Sequence, residues 1–291
     1  MKTGGLRVSA SYGSKHRSVQ EETAPLNEVP MCSARFRSFD SVILFISDVH
    51  FGRGATATER AKEAALINCL EAHADRVEHL YLVGDVFDGF IEYRHLVPKG
   101  FVRFQALLAR WTDRGTPVTY LFGNHDPWHR NYFQEELGVR LVPGTLTTTH
   151  EGVHLHLAHG DEQASTHSLY RWLRPLLRHP ATMLLYRSLL PADLGLGLAQ
   201  RISRLLHDEA TDPSVIDALR DHARQVLRRG RADVVVMGHS HEAVLHSWTD
   251  GVYVNTGNWY EHRTFARLDQ DGMRLQQWNG TRALDIEAAE V

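Results

Sequence analysis

Five short apolar runs in this chain each stop at a polar turn carrying Asp, Asn or His, and this repeated ending constrains the fold more than any other feature. The runs are Val42–Ile46, His79–Val83, Pro117–Phe122, Val153–Leu157 and Asp233–Met237. The turns after them are Ser47-Asp48-Val49-His50-Phe51-Gly52, Gly84-Asp85-Val86-Phe87-Asp88, Gly123-Asn124-His125-Asp126, His159-Gly160-Asp161 and Gly238-His239-Ser240-His241. Helical stretches separate the first three runs. One is Thr56–Ala74, with Ala61, Ala65, Leu66, Cys69 and Leu70 towards the core; the other is Pro98–Arg114, closed by Gly115. Alternation of strand and helix predicts β-α-β units and a largely buried sheet, hence an α/β protein. In open sheets of this kind, sites form in the loops at the carboxyl ends of the strands.

The rhythm changes after residue 163. Residues 163 to about 230 read as several helices, the last marked by Asp212 as N-cap, Pro213 at its first position and Gly230 past its end. Strands resume at Asp233–Met237, Ala243–Ser247, Val252–Asn255 and Phe265–Leu268. With 291 residues, 43% of them apolar, the chain is long enough for one large core. The expected organisation is a polar, disordered tail over 1–40, one domain over 41–280 with a helical insertion or lid at about 163–230, and a loose tail over 281–291. Met31 is a second candidate start.

Other classes are disfavoured. No apolar run reaches the roughly 18 to 20 residues that cross a bilayer, and the first 30 residues lack the apolar stretch of a secretory signal. A net charge of -3 gives no reason to expect nucleic acid as a partner. Cys32 lies in the polar tail and Cys69 on a helix, which argues against a structural disulfide and fits a reducing cytoplasm.

The strand ends carry metal-competent groups: Asp48 with His50, Asp85, Asn124, His159, and His239 with His241. Residues two apart on an extended segment share a side, so Asp48/His50 and His239/His241 can each present a pair. Mixed imidazole and carboxylate donors suit Mn, Fe or Zn. Seven donors exceed the needs of one ion and fit two ions sharing a carboxylate, about 3.5–4 Å apart, with a water between them that is hydroxide near neutral pH. Any one of these turns alone reads equally well as a surface turn; their joint occurrence in this order does not. His73, His79, His95, His129, His154, His156 and His246 read as surface or packing residues.

Together these motifs resemble the full motif series of the calcineurin-like metallophosphoesterases, over about residues 42–270. The resemblance implies an α/β/β/α sandwich of two sheets flanked by helices, and two divalent ions, manganese first with iron or zinc as alternatives. It implies that Asp48, His50, Asp85 and His241 hold one ion, and Asp85, Asn124, His159 and His239 the other, with Asp85 bridging. His125, oriented by Asp88, would stabilise the scissile phosphate or protonate the leaving oxygen. A helix N-cap is the alternative role for Asp88.

Residues 163–207 hold thirteen leucines, six arginines, no lysine and one acid, Asp193. Such a stretch is either an amphipathic pair whose leucines complete the core, or a lid with an apolar lining and arginines for phosphates. A closer resemblance bears on the choice. Val83 to Asp88 followed by Glu92-Tyr93-Arg94 and Val97-Pro98-Lys99-Gly100-Phe101-Val102, then Tyr132-Phe133-Gln134-Glu135-Glu136-Leu137-Gly138-Val139, then His159-Gly160-Asp161 before Tyr170 and Arg174, are similar to the bacterial UDP-2,3-diacylglucosamine diphosphatases of lipid A synthesis. This implies cleavage of a UDP-linked acylated sugar to UMP and 2,3-diacylglucosamine 1-phosphate. It further implies a lid that offers Tyr170, Arg171, Arg174, Arg201 and Arg204 to substrate, and peripheral contact with the cytoplasmic leaflet of the inner membrane. The chain departs from the better-known subgroup twice, with His125 in place of Arg and Thr166-His167 in place of an acidic pair. A general phosphomonoesterase or phosphodiesterase is the other enzymatic reading. A non-catalytic scaffold is disfavoured because all seven donors and His125 are present.

Overall fold

The computed structural model describes residues 41–164, 175–176, 178–206 and 212–286. The expected tail over 1–40 lies outside the described residues, as do Tyr170, Arg171 and Arg174.

The first half is built as its alternation predicts. Strands β1 (Val42–Ile46), β2 (Val77–Val83) and β3 (Val118–Leu121) are parallel neighbours, with helices α1 (Thr56–Glu71) and α2 (Val102–Asp113) in the crossovers. Every residue of β1 and β3 is buried, because a parallel sheet is covered on both faces. Helix α2 begins at Val102 rather than Pro98 because Phe101 takes a left-handed φ of 51° and its ring stacks on Phe51. In α1, Ala61 is exposed and Lys62 is buried, which corrects the expected core-facing set of that helix.

The remaining elements are α3 (Tyr132–Glu135), β4 (Arg140–Val142), β5 (Leu146–His150), β6 (Val153–Leu157), α4 (Asp161–Ala164), α5 (Pro180–Leu189), α6 (Ala192–Leu206), α7 (Pro213–Arg228), β7 (Val234–Met237), β8 (Ala243–Trp248), β9 (Gly251–Thr256), β10 (Thr264–Asp269), β11 (Gly272–Trp278) and β12 (Ala283–Asp285). One sheet runs β12-β11-β10-β1-β2-β3-β4 and the other β5-β6-β7-β9-β8. Between them lies an apolar layer of Ile43, Phe45, Val83 and Leu121 from the first sheet and Leu155, Leu157, Val236 and Val254 from the second. Helices α1 and α2 cover the outer face of the first sheet through Leu66, Leu70, Phe104, Leu108 and Trp111. The result is the α/β/β/α sandwich that the resemblance implies.

Two expected boundaries are corrected. Residues 281–291 are not a loose tail throughout, since β12 pairs with β11 as an edge strand. The insertion does not run to 230. Helix α7 buries Leu219, Ala223, Val226 and Leu227 against Val235, Met237 and Tyr253, so it forms the outer layer of the second sheet. Its N-terminus is as expected, with the Asp212 carboxylate accepting from the backbone N–H of Ser214 and Pro213 next in line. The insertion proper is carried by α5 and α6.

Candidate metal centre

The seven expected donors converge at the carboxyl ends of β1, β2, β3, β6 and β7. The β1 and β2 ladder continues past both strands. Backbone N–H groups of Asp48, His50 and Phe51 donate to the carbonyls of Gly84, Asp85 and Val86 at 3.2, 3.0 and 2.8 Å. This holds the Asp48-Val49-His50 turn beside Asp85. The second sheet is joined to the first where the N–H of His239 donates to Asp48 Oδ2 at 3.0 Å, and within the second sheet the N–H of Gly238 donates to the carbonyl of His159 at 3.0 Å. Gly123 and Gly238 are glycines because a Cβ at either would collide with Asp85 or with Ser47 and Asp48.

Five of the seven donors have left-handed backbones: Asp48, His50, Asp85, His239 and His241, with φ between 47° and 70°. Non-glycine residues pay of order 1–2 kcal/mol for this conformation, and such strain clusters at functional sites. Here it turns each side chain out of the strand direction and into one common space.

Two halves result. In the first, Nε2 of His241 lies 3.2 Å and Nε2 of His50 3.7 Å from Asp48 Oδ1, and the two imidazole nitrogens are 3.3 Å apart. In the second, Nε2 of His159 lies 3.3 Å from Asp85 Oδ2 and 3.0 Å from Asn124 Oδ1, and Nδ1 of His239 is 3.0 Å from the same Asn124 oxygen. Asp85 stands between them, its Oδ2 3.9 Å from His50 Nε2. Among the described residues, Asp48/His50/His241 and Asp48/Asp85/His159 each bring one donor atom per residue within 4.8 Å of one another, a spacing that could hold an ion. The residues fit divalent ions on one further observation. Asp48 Oδ1 is buried, accepts no hydrogen bond, and faces only imidazole nitrogens. His159 is aimed by its other ring nitrogen, 2.9 Å from the Val83 carbonyl, which leaves Nε2 towards the centre.

His125 and Asp88 sit beside this cluster. His125 Nδ1 is 3.6 Å and His50 Nδ1 3.5 Å from Asp88 Oδ1, while His125 Nε2 is 3.8 Å from Asp85 Oδ2. Asp88 is buried and stands outside any helix, so it is no N-cap. Burial works against its charge, but the two imidazoles hold its carboxyl below the usual range.

Other residues, unremarkable in the sequence, hold the turns in place. Asp126 is fully buried and accepts from the backbone N–H groups of Gly123 and Phe87 at 2.9 and 3.2 Å and from the hydroxyl of Tyr120. It ties the Asp85 and Asn124 turns together. From α1, Lys62 Nζ donates to the His50 carbonyl at 2.6 Å, and Glu59 accepts from the N–H groups of Gly52 and Gly54, both at 2.8 Å. The one sequence signal for them is charge on the inward stripe of α1, where Glu59, Lys62 and Glu63 precede Leu66, Cys69 and Leu70.

Among the described residues, Arg178 and Gln200 of the insertion approach the centre. Arg178 Nη2 donates to the Gly123 carbonyl at 3.0 Å and to Asp161 Oδ2 at 2.9 Å. Gln200 on α6 packs against Gly89, where an added Cβ would come within 3.0 Å of its Cγ. Of the arginines expected at substrate, Arg201 is exposed on α6, and Arg204 lies on the same helix. Leu176, Leu184, Leu185, Leu189, Leu194 and Leu198 are 42–70% exposed, so these leucines do not complete the core.

The imidazoles give the centre a pH signature. Burial opposes charge on His50, yet Asp48 and Asp88 push it up to about 9. Burial likewise opposes His159, which Asp85 raises to about 10. His239 is lowered to about 4 by burial and by His159. A histidine raised on folding stabilises fully below its ordinary 6.5 and loses that contribution as pH climbs through the raised value; a lowered one costs stability below 6.5. Chelator-treated protein is therefore expected to melt at its highest temperature near neutrality, with Tm falling towards pH 10 and again below 6. Thermal melts over that range check it, and a Tm that rises steadily from pH 7 to 10 would contradict it. Divalent ions must displace the same protons, so their uptake near neutral pH should release acid.

The buried nitrogen–oxygen cluster at the strand ends of this two-sheet sandwich is a donor set suited to divalent ions. The family model of the calcineurin-like phosphoesterases matches residues 41–243, and the chain belongs to that family. It is an enzyme of the phosphoesterase class, and the family implies divalent metal ions. Among curated relatives, the UDP-2,3-diacylglucosamine hydrolase of Porphyromonas gingivalis is 30% identical, over 81% of this chain and 97% of the relative. That of Edwardsiella ictaluri is 27% identical, over 80% of this chain and 90% of the relative. Among solved structures, the E. coli phosphoesterase YfcE is 18% identical with a TM-score of 0.43, covering 84% of this chain and 98% of its own. Among the described residues no helix is long and apolar enough to cross a membrane.

Proposed function

We propose that this enzyme hydrolyses the pyrophosphate bond of UDP-2,3-diacylglucosamine, giving UMP and 2,3-diacylglucosamine 1-phosphate. Asp48, His50, Asp85 and His241 would hold one divalent ion and Asp85, Asn124, His159 and His239 a second, manganese in the first instance. When bound, such ions supply Lewis acidity towards phosphoryl oxygens and lower the pKa of water. The chain's own residues supply the rest. Asp85 joins the two halves and, through its Oδ1, accepts from the backbone N–H of His125 at 2.9 Å. His125 places an imidazole beside both carboxylates, where it can donate to the scissile phosphate or to the departing oxygen. Asp88 orients that ring and also meets His50, so it links the acid–base residue to the metal ligands.

The observation that carries the substrate reading is the exposed leucine face of the insertion standing beside a phosphoester-cleaving centre. Its anchors are Arg178 at Gly123 and Arg187, whose Nη2 donates to the Trp128 carbonyl at 2.9 Å. Exposed leucines on this scale mark a binding surface. Each methylene of an acyl chain buried there gains about 0.8 kcal/mol. The names of the curated relatives, which span nearly their whole length in the comparison, favour the same substrate. Peripheral contact with the cytoplasmic leaflet follows from the same surface, where each basic residue near anionic lipid adds about 1 kcal/mol. Of the lid residues expected at substrate, Arg201 and Arg204 on α6 stay within this proposal.

The test is hydrolysis of UDP-2,3-diacylglucosamine by purified protein with Mn²⁺, read as UMP release. Failure to cleave it, with turnover of a small phosphodiester retained, would leave a general phosphoesterase. Charges introduced on the exposed face, Leu185→Asp with Leu189→Asp, are expected to lower kcat/KM for the acylated substrate at least tenfold while a small soluble phosphodiester is cleaved as before. Equal loss on both substrates would make the insertion part of the core.

A further inference from the structure

We propose that Arg53 and Tyr260 form an anion subsite against the Asp48/His50/His241 half of the metal centre, which takes the neighbouring phosphate of a pyrophosphate substrate, the one not attacked. This deepens, and rests on, the pyrophosphate reading above.

Five observations lead to it. The Arg53 guanidinium carbon lies 4.6 Å above the centre of the Tyr260 ring. That ring meets His50 and His241 edge to face, each with centroids 5.5 Å apart. The cation is therefore one side chain removed from two expected metal ligands. The backbone under Arg53 is fixed on both sides: Glu59 accepts from the N–H groups of Gly52 and Gly54, and the N–H of Arg53 itself donates to the His50 carbonyl at 3.3 Å. The loop carrying Tyr260 is tied to the same centre, since the N–H of Trp259 donates to the Asp48 carbonyl at 3.0 Å and Asn258 Oδ1 accepts from Glu261 at 2.9 Å. Both Arg53 and Tyr260 are half-buried, so they line a surface that a ligand can reach.

The chemistry suits a phosphate. A guanidinium carries five N–H donors in one plane, a fork that matches two phosphate oxygens. Tyr260 adds a phenolic hydroxyl that can donate to a phosphate oxygen. When the P–O bond to the bridging oxygen breaks, its electron pair stays with the departing phosphate, and a cation already in place stabilises the charge that develops. Gln200 approaches the turn that carries Arg53, its amide nitrogen 3.9 Å from where a Cβ on Gly52 would lie.

Arg53→Met and Arg53→Lys test this in the Mn²⁺-loaded full-length enzyme. Three quantities decide: kcat/KM for UDP-2,3-diacylglucosamine, kcat/KM for bis(4-nitrophenyl) phosphate, and the inhibition of the latter reaction by UDP, whose two phosphates can fill both positions. Arg53→Met is expected to lose about ten- to a hundredfold more on the pyrophosphate than on the diester, the range of a charge-assisted hydrogen bond. UDP inhibition should weaken by a similar factor, and Arg53→Lys should recover part of each. Equal losses on both substrates, or lowered metal content, would reduce Arg53 to a support of the His50 loop and overturn the subsite. Wild-type protein that cleaves the diester but never the UDP-lipid sinks the substrate reading instead. UDP inhibition then decides the subsite alone, which stands if Arg53→Met weakens it and falls if inhibition is unchanged.

Discussion

Asp85→Ala is expected to abolish turnover and to lower metal content at the same time. The Asp85 carboxylate is buried between both halves of the centre, with Oδ2 3.3 Å from His159 and 3.9 Å from His50. Burial alone would raise its pKa; the charges on His159 and His125 hold it below the ordinary carboxylate range. Removing it takes one donor from each proposed ion and leaves His50 and His159 without the carboxylate between them. Loss of one partner from a buried charge pair costs about 3–5 kcal/mol. Loss of a shared ligand should exceed the 10- to 100-fold typical of outer-shell changes around a metal. Metal analysis and an assay with excess Mn²⁺ check both halves of this expectation. A variant with near-normal metal content and rate would refute the assignment of Asp85. Chelator should likewise inactivate the wild-type enzyme and Mn²⁺ restore it.

His125→Ala should separate rate from metal binding. The ring lies among Asp85, Asp88 and His50, yet Asp85 and Asn124 beside it already serve the proposed ions. Its removal should therefore leave the metal content intact and cost the roughly 10²–10⁴-fold of a proton donor or transition-state hydrogen bond. Asp88→Asn should cost less in rate, because the ring stays and only its orientation weakens. Since Asp88 Oδ1 is also 3.5 Å from His50 Nδ1, a slight loss of metal affinity should accompany it. Metal lost from His125→Ala would make His125 a ligand and change the partition of the centre.

The α/β class, the crossover helices and the turns that build the centre are legible in the amino-acid sequence. The reason is chemical. Divalent ions and phosphoryl transfer demand particular side chains, so the site is written in residue type and spacing, and parallel strands buried on both faces are written as apolar runs. Three of the four edge strands are not legible. Strands β4, β5 and β12 carry residues such as Arg140, Thr147 to Thr149 and Asp285, with no apolar run of their own, and they exist because a neighbour offers them a ladder. Helix α7 shows its caps but not its place, because an apolar stripe does not say which sheet it will cover.

By itself the sequence determined which atoms could coordinate and in what order along the chain. Only the tertiary structure decided that His50 and His241, 191 residues apart, bring their ring nitrogens within 3.3 Å. It alone placed left-handed backbones at Asp48, His50, Asp85, His239 and His241, a strain that Asp and His tolerate better than most residues and that packing must hold in place. The same holds for Lys62, Glu59 and Asp126, whose types suit the surface as well as the interior. Burial of charge is settled by the partners that folding supplies, and those lie far away in the chain.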